Sequence, residues 1–190
     1  GVRRVLALKG DDFSLRNDGP NSSVELVEFL SERGFQTSVA AYPDGHPDAR
    51  KPAYRMSEQD WLQRKIDAGA DQVVTQFSSG TDGLLRLRDQ LSDRAPHVRL
   101  KAGLMPIPAW DRYTTLIERC GIDQDPGEAV LLDALPEDSH AALSLGLAYA
   151  NARTLMAHGL SNFHLYGLNN TRLLLPLIAS LKALDTTTKH

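Results

Sequence analysis

The sequence predicts an α/β fold in which parallel strands alternate with helices. Short apolar runs rich in β-forming residues recur along the chain, segments with helical periodicity separate them, and the connections are short. The runs are largely continuous rather than alternating, as in parallel strands that are covered on both faces. The expected strands are Val5–Lys9, Thr37–Ala41, Gln72–Gln76, Arg99–Met105 and Phe163–Gly167.

Segments with helical periodicity lie between and after the expected strands. In the first, an apolar stripe ends at Gly34, a residue type that commonly stops a helix. In the second, Ser57 is followed three residues later by Asp60, the pattern of an N-cap with an acid in the first turn. The expected helices are Ser23–Arg33, Ser57–Ala68, Thr81–Arg94, Trp110–Cys120, His140–His158 and Thr171–Leu184.

Two architectures fit this alternation, an open doubly wound sheet and a (β/α)-barrel. A doubly wound sheet usually concentrates its chemistry at one switch point, often with a glycine-rich first turn, and neither G-x-G-x-x-G nor G-x-x-x-x-G-K-[ST] occurs here. Barrel enzymes build their sites from loops at the C-terminal ends of many strands. Distinctive residues follow every expected strand: Gly10–Asp12, Tyr42–His46, Gln76–Phe77, Pro106–Pro108 and Leu168–Asn170. The sequence therefore favours a (β/α)8 barrel of the TIM type.

The length limits how much of a barrel this chain can supply. A complete barrel has eight strands and typically about 250 residues, whereas the chain has 190 residues and five expected strands. We therefore expect the last five βα units of a barrel, with about three more units upstream of residue 1. Residues 1–185 would form part of this single domain, and residues 186–190 would form a tail.

The composition excludes several classes of function. A net charge of −3, with basic and acidic residues mixed along the chain, argues against a nucleic-acid partner. No apolar run approaches the roughly eighteen residues that span a bilayer, and the single cysteine, Cys120, fits a reducing compartment. We therefore expect a cytoplasmic protein without a membrane partner. No C-x-x-C, H-E-x-x-H or G-x-S-x-G motif occurs, so no metal site or serine nucleophile is expected.

Five blocks of sequence together resemble the methylenetetrahydrofolate reductases, flavin-dependent (β/α)-barrel enzymes of one-carbon metabolism. They run in order across nearly the whole chain as Leu6–Asp11 (LALKGD), Ser38–Pro47 (SVAAYPDGHP), Arg64–Gln76 (RKIDAGADQVVTQ), Gly103–Ile107 (GLMPI) and Phe163–Asn169 (FHLYGLN). Each block is short, and the specificity lies in the set and its spacing. By this alignment the chain holds the fourth to eighth strands, which agrees with the missing units counted above.

The resemblance implies an FAD site at the C-terminal ends of the first two strands. An aromatic face such as that of Tyr42 can pack on a flavin or adenine plane, and an imidazole such as that of His46 can donate to a phosphate or ribose oxygen. Two cations, Arg64 and Lys65, would offset the diphosphate charge. The positions that match cofactor contacts are Lys9, Gly10, Asp11, Ala40, Tyr42, His46, Glu58, Trp61, Arg64 and Lys65.

The resemblance also implies the reaction and its substrate. NADH or NADPH would reduce the flavin, and 5,10-methylenetetrahydrofolate would then be reduced to 5-methyltetrahydrofolate. Asp11 matches a carboxylate near the flavin and pterin rings and is the expected catalytic residue. Folate contacts are expected at Gln76, Arg112, Leu168 and Asn170. The sequence leaves homo-oligomer formation open.

Several positions depart from the family pattern and keep other functions open. Ser22 replaces a tyrosine that contacts the flavin, Trp61 replaces a polar cofactor contact, and Asn170 replaces an arginine that pairs with the folate glutamate tail. Arg112 and Leu116 replace a glutamine and an aromatic residue on the substrate side. These departures fit a paralogue with different tetrahydrofolate-linked chemistry, such as methyl transfer or demethylation. They also fit a non-catalytic protein that binds flavin or folate.

Overall fold

Five parallel strands form one sheet in the computed structural model, which describes residues 1–10, 19–46, 56–107 and 110–187, without the side chains of residues 110–112 and 185–187. The strands are β1 (Arg4–Ala7), β2 (Gln36–Ala41), β3 (Ala70–Phe77), β4 (Arg99–Leu104) and β5 (Phe163–Leu165). All five expected strands are present, with ends that differ by one to two residues in most cases. The three inner strands β2, β3 and β4 are mostly buried, as expected for continuous apolar runs, whereas the outer strands β1 and β5 are more exposed.

Helices connect successive strands. They are α1 (Ser23–Ser31), α2 (Glu58–Asp67), α3 (Asp82–Arg94), α4 (Trp110–Cys120), α5 (Pro126–Ala134), α6 (His140–Ala157) and α7 (Thr171–Thr187), with a short 3₁₀ turn at Glu137–Ser139 before α6. In the described part of the chain, no helix is both long enough and apolar enough to cross a membrane. Helix α7 includes residues 186 and 187, which the sequence assigned to the tail.

The order of the strands in the sheet decides between the two architectures. Each strand pairs with its neighbour in the chain, in the order β1-β2-β3-β4-β5, and all four pairings are parallel. A doubly wound sheet reverses its order at a switch point, and this sheet does not. Right-handed crossovers in a single direction place the helices on one face, so the sheet forms part of a barrel. The predicted barrel architecture is confirmed.

Local capping signals place the first two helices, and a third such signal was missed. The hydroxyls of Ser22 and Ser57 accept hydrogen bonds from the backbone amides three residues on, each at 3.1 Å. Helix α5 is absent from the sequence prediction, which has no element between Cys120 and His140. Asp125 accepts from the amide of Glu128 at 3.0 Å, and Pro126 occupies the first helical position. This Asp-Pro-x-Glu pattern is itself a helix start.

Two apolar clusters hold the helices to the sheet. The larger lies between the strands and helices α1, α2, α3 and α6, with residues such as Val27, Val39 and Leu84 fully buried. The smaller lies past the ends of β3 and β4 and holds α4 and α5 there, with members Phe77, Met105, Ile107, Tyr113, Ile117, Ile122 and Leu132. The smaller cluster therefore fixes the helix that carries Arg112.

Candidate functional site

The C-terminal ends of the five strands lie along one edge of the sheet, since the strands are parallel. Lys9 and Gly10 follow β1 and are exposed there. Gly10 has φ of 79°, a left-handed conformation that glycine adopts without strain. Asp11, the expected catalytic carboxylate, lies outside the described residues. The structure therefore places the start of this loop at the predicted edge.

Lys65 lies beneath the end of β2. Helix α2 begins at the Ser57 cap and directs this side chain inward, so that only 7% of the residue is exposed. Its Nζ donates a hydrogen bond to the backbone carbonyl of Ala40 at 2.9 Å. Burial lowers the pKa of the ammonium, and the nearby Glu58 carboxylate acts in the opposite direction. Three predicted cofactor residues are thus brought together at one point.

The loop after β2 forms a tight turn between two predicted cofactor residues. The amide of Gly45 donates to the carbonyl of Tyr42 at 3.0 Å, and Gly45 has φ of 93°. The turn places the rings of Tyr42 and His46 edge to face, with centroids 4.4 Å apart. Tyr42 and Glu58 line the same small cavity, of about 170 Å³. The loop and the start of α2 therefore share one surface.

The other two predicted cofactor residues on α2 interact with each other. The guanidinium carbon of Arg64 lies 5.8 Å from the centre of the Trp61 ring, within the range of a cation–π contact. Arg64 is exposed, whereas Lys65 is buried. Of these two neighbouring cations, Lys65 is shielded from water and Arg64 is not.

A β-bulge presents Gln76 at the end of β3. The register with β4 pairs Val74 with Lys101 and then Phe77 with Gly103, so β3 contains one extra residue. A Cβ on Gly103 would lie 2.6 Å from the carbonyl oxygen of Thr75 and 2.8 Å from that of Gln76. Only glycine permits this approach. The side-chain oxygen of Gln76 accepts from the amide of Phe77 at 3.2 Å.

Tyr166 ties β5 to the same bulge and was not among the predicted site residues. Its hydroxyl donates to the carbonyl of Thr75 at 2.9 Å, and its ring packs on Phe77 with centroids 5.9 Å apart. Burial raises the pKa of the phenol to about 12, so the group stays protonated and remains a donor. In the sequence Tyr166 extends an apolar strand pattern, which conceals this contact.

The turn after β5 carries two predicted substrate residues. Leu168 and Asn169 both have positive φ, of 45° and 62°, and Leu168 is 60% exposed. Asn170 directly precedes α7, and its side-chain oxygen accepts from the amide of Leu173 at 3.4 Å. Strained, exposed turns of this kind are typical of binding loops. Arg112 lies in the first turn of α4, and its side chain is outside the described set.

A buried polar network connects the segment after Gln76 to α4 and α5. Glu128, only 7% exposed, accepts hydrogen bonds from the hydroxyls of Ser79 and Tyr113, the latter at 3.2 Å. Ser79 in turn accepts from the amide of Asp125 at 2.9 Å. Burial raises the pKa of Glu128, while both hydroxyl donors act to lower it. The only sequence signal for Glu128 was its place in the α5 cap.

This network borders a polar cavity of about 550 Å³. Asp44, from the loop after β2, also lines the cavity and accepts from the hydroxyl of Ser78 at 2.8 Å. Burial raises the pKa of the Asp44 carboxyl. The loops after β2 and β3 are therefore joined by a hydrogen bond of their own.

Comparisons with a family model and with individual proteins all point to the same family. The model of the methylenetetrahydrofolate reductase family matches residues 1–182. The chain is 29% identical to the 5,10-methylenetetrahydrofolate reductase of Buchnera aphidicola subsp. Baizongia pistaciae, over 91% of this chain and 59% of that protein. It is 28% identical to the enzyme of the same name from Escherichia coli K12, over 91% and 58%. It is 27% identical to Arabidopsis thaliana methylenetetrahydrofolate reductase (NADH) 1, over 97% and 34%. The chain thus spans less than two thirds of the length of these relatives.

Proposed function

Because this chain belongs to the methylenetetrahydrofolate reductase family, we propose that it supplies the flavin and folate loops of a reductase. That enzyme would reduce 5,10-methylenetetrahydrofolate to 5-methyltetrahydrofolate with NADH or NADPH through bound FAD. The relatives named above support the reaction. The strand ends that carry the expected contacts support its location.

The observation that carries the proposal is the buried ammonium of Lys65 on the Ala40 carbonyl. Burial of this ammonium raises the free energy of the folded protein, and the nearby Glu58 carboxylate leaves part of that increase without compensation, since the pKa of Lys65 stays lowered. A diphosphate bound against the end of β2 would provide that compensation. The aromatic surfaces of Tyr42 and Trp61 on neighbouring segments suit the planar parts of a dinucleotide. The donor set therefore fits FAD.

The proposal assigns separate tasks to the two halves of the edge. When bound, FAD supplies hydride transfer between the nicotinamide and the folate. The residues after β1 and β2, with α2, would hold the dinucleotide through Gly10, Tyr42, His46 and Lys65. Gln76 would orient the pterin through the two directional hydrogen bonds of its amide. Asp11 would place a carboxylate near the reacting rings, where it stabilises positive charge on the substrate.

The sheet itself supports the proposal that further βα units complete the barrel. Strands β1 and β5 are its two edges, and Leu6 and Leu8 near β1 are 44% and 52% exposed. Barrels have no free edges, because the first strand pairs with the last. We infer that further βα units of the barrel cover these leucines and join the two edges. They would also supply the remaining groups of the site.

The test uses the protein expressed from its complete coding sequence. We expect purified protein to show a flavin absorption spectrum that NADH or NADPH bleaches under anaerobic conditions. Addition of 5,10-methylenetetrahydrofolate should then restore the oxidised spectrum. Colourless protein that does not take up added FAD would refute the proposal, as would reduced flavin that is never reoxidised by the folate.

A second candidate is a paralogue with different tetrahydrofolate-linked chemistry. Two of the departing residues have structural tasks here, since Ser22 caps α1 and Asn170 accepts from an amide of α7. These two positions therefore do not carry the flavin-contacting tyrosine and the folate-pairing arginine of the family pattern. This candidate predicts folate binding without NAD(P)H oxidation in the presence of a quinone acceptor. Steady oxidation of NAD(P)H with a quinone would rule it out.

A further inference from the structure

We propose that Glu128 is a positioning residue of the folate site, which holds the end of β3 and the first turn of α4 at a fixed separation. The inference rests on the proposed function, because Gln76 and Arg112 on those two elements are its expected folate contacts. Among the described side chains, Glu128 makes its hydrogen bonds with Ser79 and Tyr113 and not with Gln76. It acts through Ser79, three residues after Gln76, and through Tyr113, next to Arg112.

One carboxylate oxygen joins the two elements. Oε2 of Glu128 accepts from the Ser79 hydroxyl and also from the Tyr113 hydroxyl at 3.2 Å. All three side chains are buried, with exposures of 7%, 5% and 2%. Tyr113 also belongs to the apolar cluster that seats α4. Because a buried side chain has few alternative rotamers, these bonds restrict how α4 can rotate relative to the bulge.

The cavity beside the network shows why hydrogen bonds are needed there. A space of about 550 Å³ lies between the segment 78–83 and the residues of α5 and α6 that face it. Apolar packing therefore does not fill this region. Hydrogen bonds at Ser79 link the two sides instead. Its hydroxyl donates to Glu128 and accepts from the amide of Asp125, and its carbonyl accepts from the side-chain amide of Asn151 at 3.2 Å. Three of the polar groups that face the cavity thus converge on Ser79.

An acid at this position is costly for stability, which points to a role in geometry. Burial of a carboxylate raises the free energy of the folded state, and an apolar residue of similar size often packs with equal or better stability. An apolar residue would leave the hydroxyls of Ser79 and Tyr113 without this shared acceptor. A folate that contacts both β3 and α4 requires a fixed distance between them, since small displacements of binding groups weaken binding and slow reaction.

The flavin side does not depend on this network. Lys65, Ala40 and the Tyr42–His46 turn lie on β2, its loop and α2. Their connections to the segment after β3 include the Asp44–Ser78 hydrogen bond and the close approach of Gly83 to Pro43, and neither passes through Glu128. Loss of the Glu128 bonds should therefore affect the folate half of the reaction and leave the NAD(P)H half intact.

The experiment compares the two half-reactions in full-length holoenzyme. Tyr113→Phe removes one hydroxyl, Glu128→Leu removes the shared acceptor, and Glu128→Gln retains the shape and an acceptor oxygen. Glu118→Gln, an exposed acid on α4, is the control. The measurements are flavin content, NAD(P)H oxidation with a quinone, and the KM and kcat for 5,10-methylenetetrahydrofolate.

We expect Glu128→Leu and Tyr113→Phe to raise the folate KM at least fivefold, with flavin content and quinone reduction within twofold of the unmodified protein. Glu128→Gln should restore the KM to within twofold, and Glu118→Gln should change nothing. An unchanged KM in Tyr113→Phe and Glu128→Leu would overturn this inference and leave the proposed function standing. A parallel loss of flavin, quinone reduction and folate turnover in Tyr113→Phe would also overturn it, since that result indicates general destabilisation. If the unmodified protein lacks flavin or folate turnover, the proposed function fails first and the inference fails with it.

Discussion

The ammonium of Lys65 donates to the carbonyl of Ala40 across 2.9 Å, so a helix residue and a strand residue 25 positions apart share one buried contact. The contact lies at the edge of the sheet where the dinucleotide is proposed to bind. Its charge is desolvated, and its pKa is lowered by that burial. We therefore expect Lys65 to favour ligand binding and to lower the stability of the ligand-free protein.

Replacing Lys65 by Met should separate these two effects. We expect flavin affinity to fall at least tenfold, because a charge-assisted contact to an anion is lost. Without flavin, the variant should be about 1 kcal/mol more stable at pH 7, since desolvation of the ammonium outweighs its attraction to the Glu58 carboxylate. Because the pKa of Lys65 is lowered in the folded state, the ammonium loses its proton there first as the pH rises. The native protein should therefore become as stable as the variant as the pH rises through the folded-state pKa towards 10.5. Urea unfolding between pH 7 and pH 10, with flavin titration, measures both.

The matched control for that variant is Lys182→Met, on an exposed position of α7. It should leave flavin affinity and stability unchanged. If both lysine variants bind flavin equally well, Lys65 is not a cofactor residue.

Glu128→Gln should change how stability depends on pH. Burial raises the pKa of Glu128 above its ordinary value of 4.5, so its favourable contribution is complete below that value and is lost as the pH rises through the folded-state pKa. The variant cannot ionise and avoids this loss. We expect its stability relative to the native protein to increase by about 1 kcal/mol between pH 4.5 and pH 8. Thermal or urea unfolding at a series of pH values tests this, and a difference that is flat with pH would contradict it.

A methyl group at Gly103 should disturb the Gln76 bulge. In Gly103→Ala the new Cβ would meet the Thr75 and Gln76 carbonyls at 2.6 Å and 2.8 Å, so the strands must separate. We expect a loss of about 1–3 kcal/mol in stability, the usual range for overpacking, together with a higher folate KM. Unfolding curves and folate kinetics provide the two readouts.

The same substitution at Gly146 serves as its control. Gly146 lies within α6 and has nothing within 4 Å of an added Cβ, so Gly146→Ala should stabilise the protein by about 0.5–1 kcal/mol through helix propensity. Equal effects at the two glycines would show that the close approach at Gly103 is unimportant.

Replacing Leu168 by glycine should relieve backbone strain and weaken folate binding. Leu168→Gly relieves the positive φ of 45°, so we expect stability to rise by about 0.5–1 kcal/mol. Removal of the exposed isobutyl group should raise the folate KM. Asn169→Gly relaxes the neighbouring residue of the same turn and should leave the KM unchanged. A KM that responds equally to both variants would attribute the effect to turn flexibility instead of the Leu168 side chain.

The architecture and the positions of most helices follow from local patterns. Ser22 and Ser57 cap their helices through bonds to amides three residues away, so the relevant interaction is complete within one turn. Continuous apolar runs with distinctive residues at their ends were sufficient to predict parallel strands and a barrel. Helix α5 is absent from the sequence prediction, although its cap, the hydrogen bond from the Glu128 amide to Asp125, is equally local.

The candidate site is only partly visible in the sequence. Resemblance to a family marked Lys65, Tyr42 and Gln76 as ligand residues, and the structure places them at one edge of the sheet. It did not mark Tyr166 or Glu128. Their partners lie 91 and 49 positions away, at Thr75 and Ser79.

The amino-acid sequence by itself determined the five strands, their order and every described α-helix except α5, because hydrophobic periodicity and capping act over a few residues. Only the tertiary structure decided that Lys65 is desolvated against Ala40, that β3 bulges at Gln76 around Gly103, and that Glu128 joins Ser79 to Tyr113. Burial and hydrogen bonding between distant segments depend on how the helices pack against the sheet. That packing is a property of the whole fold, and no single stretch of sequence expresses it.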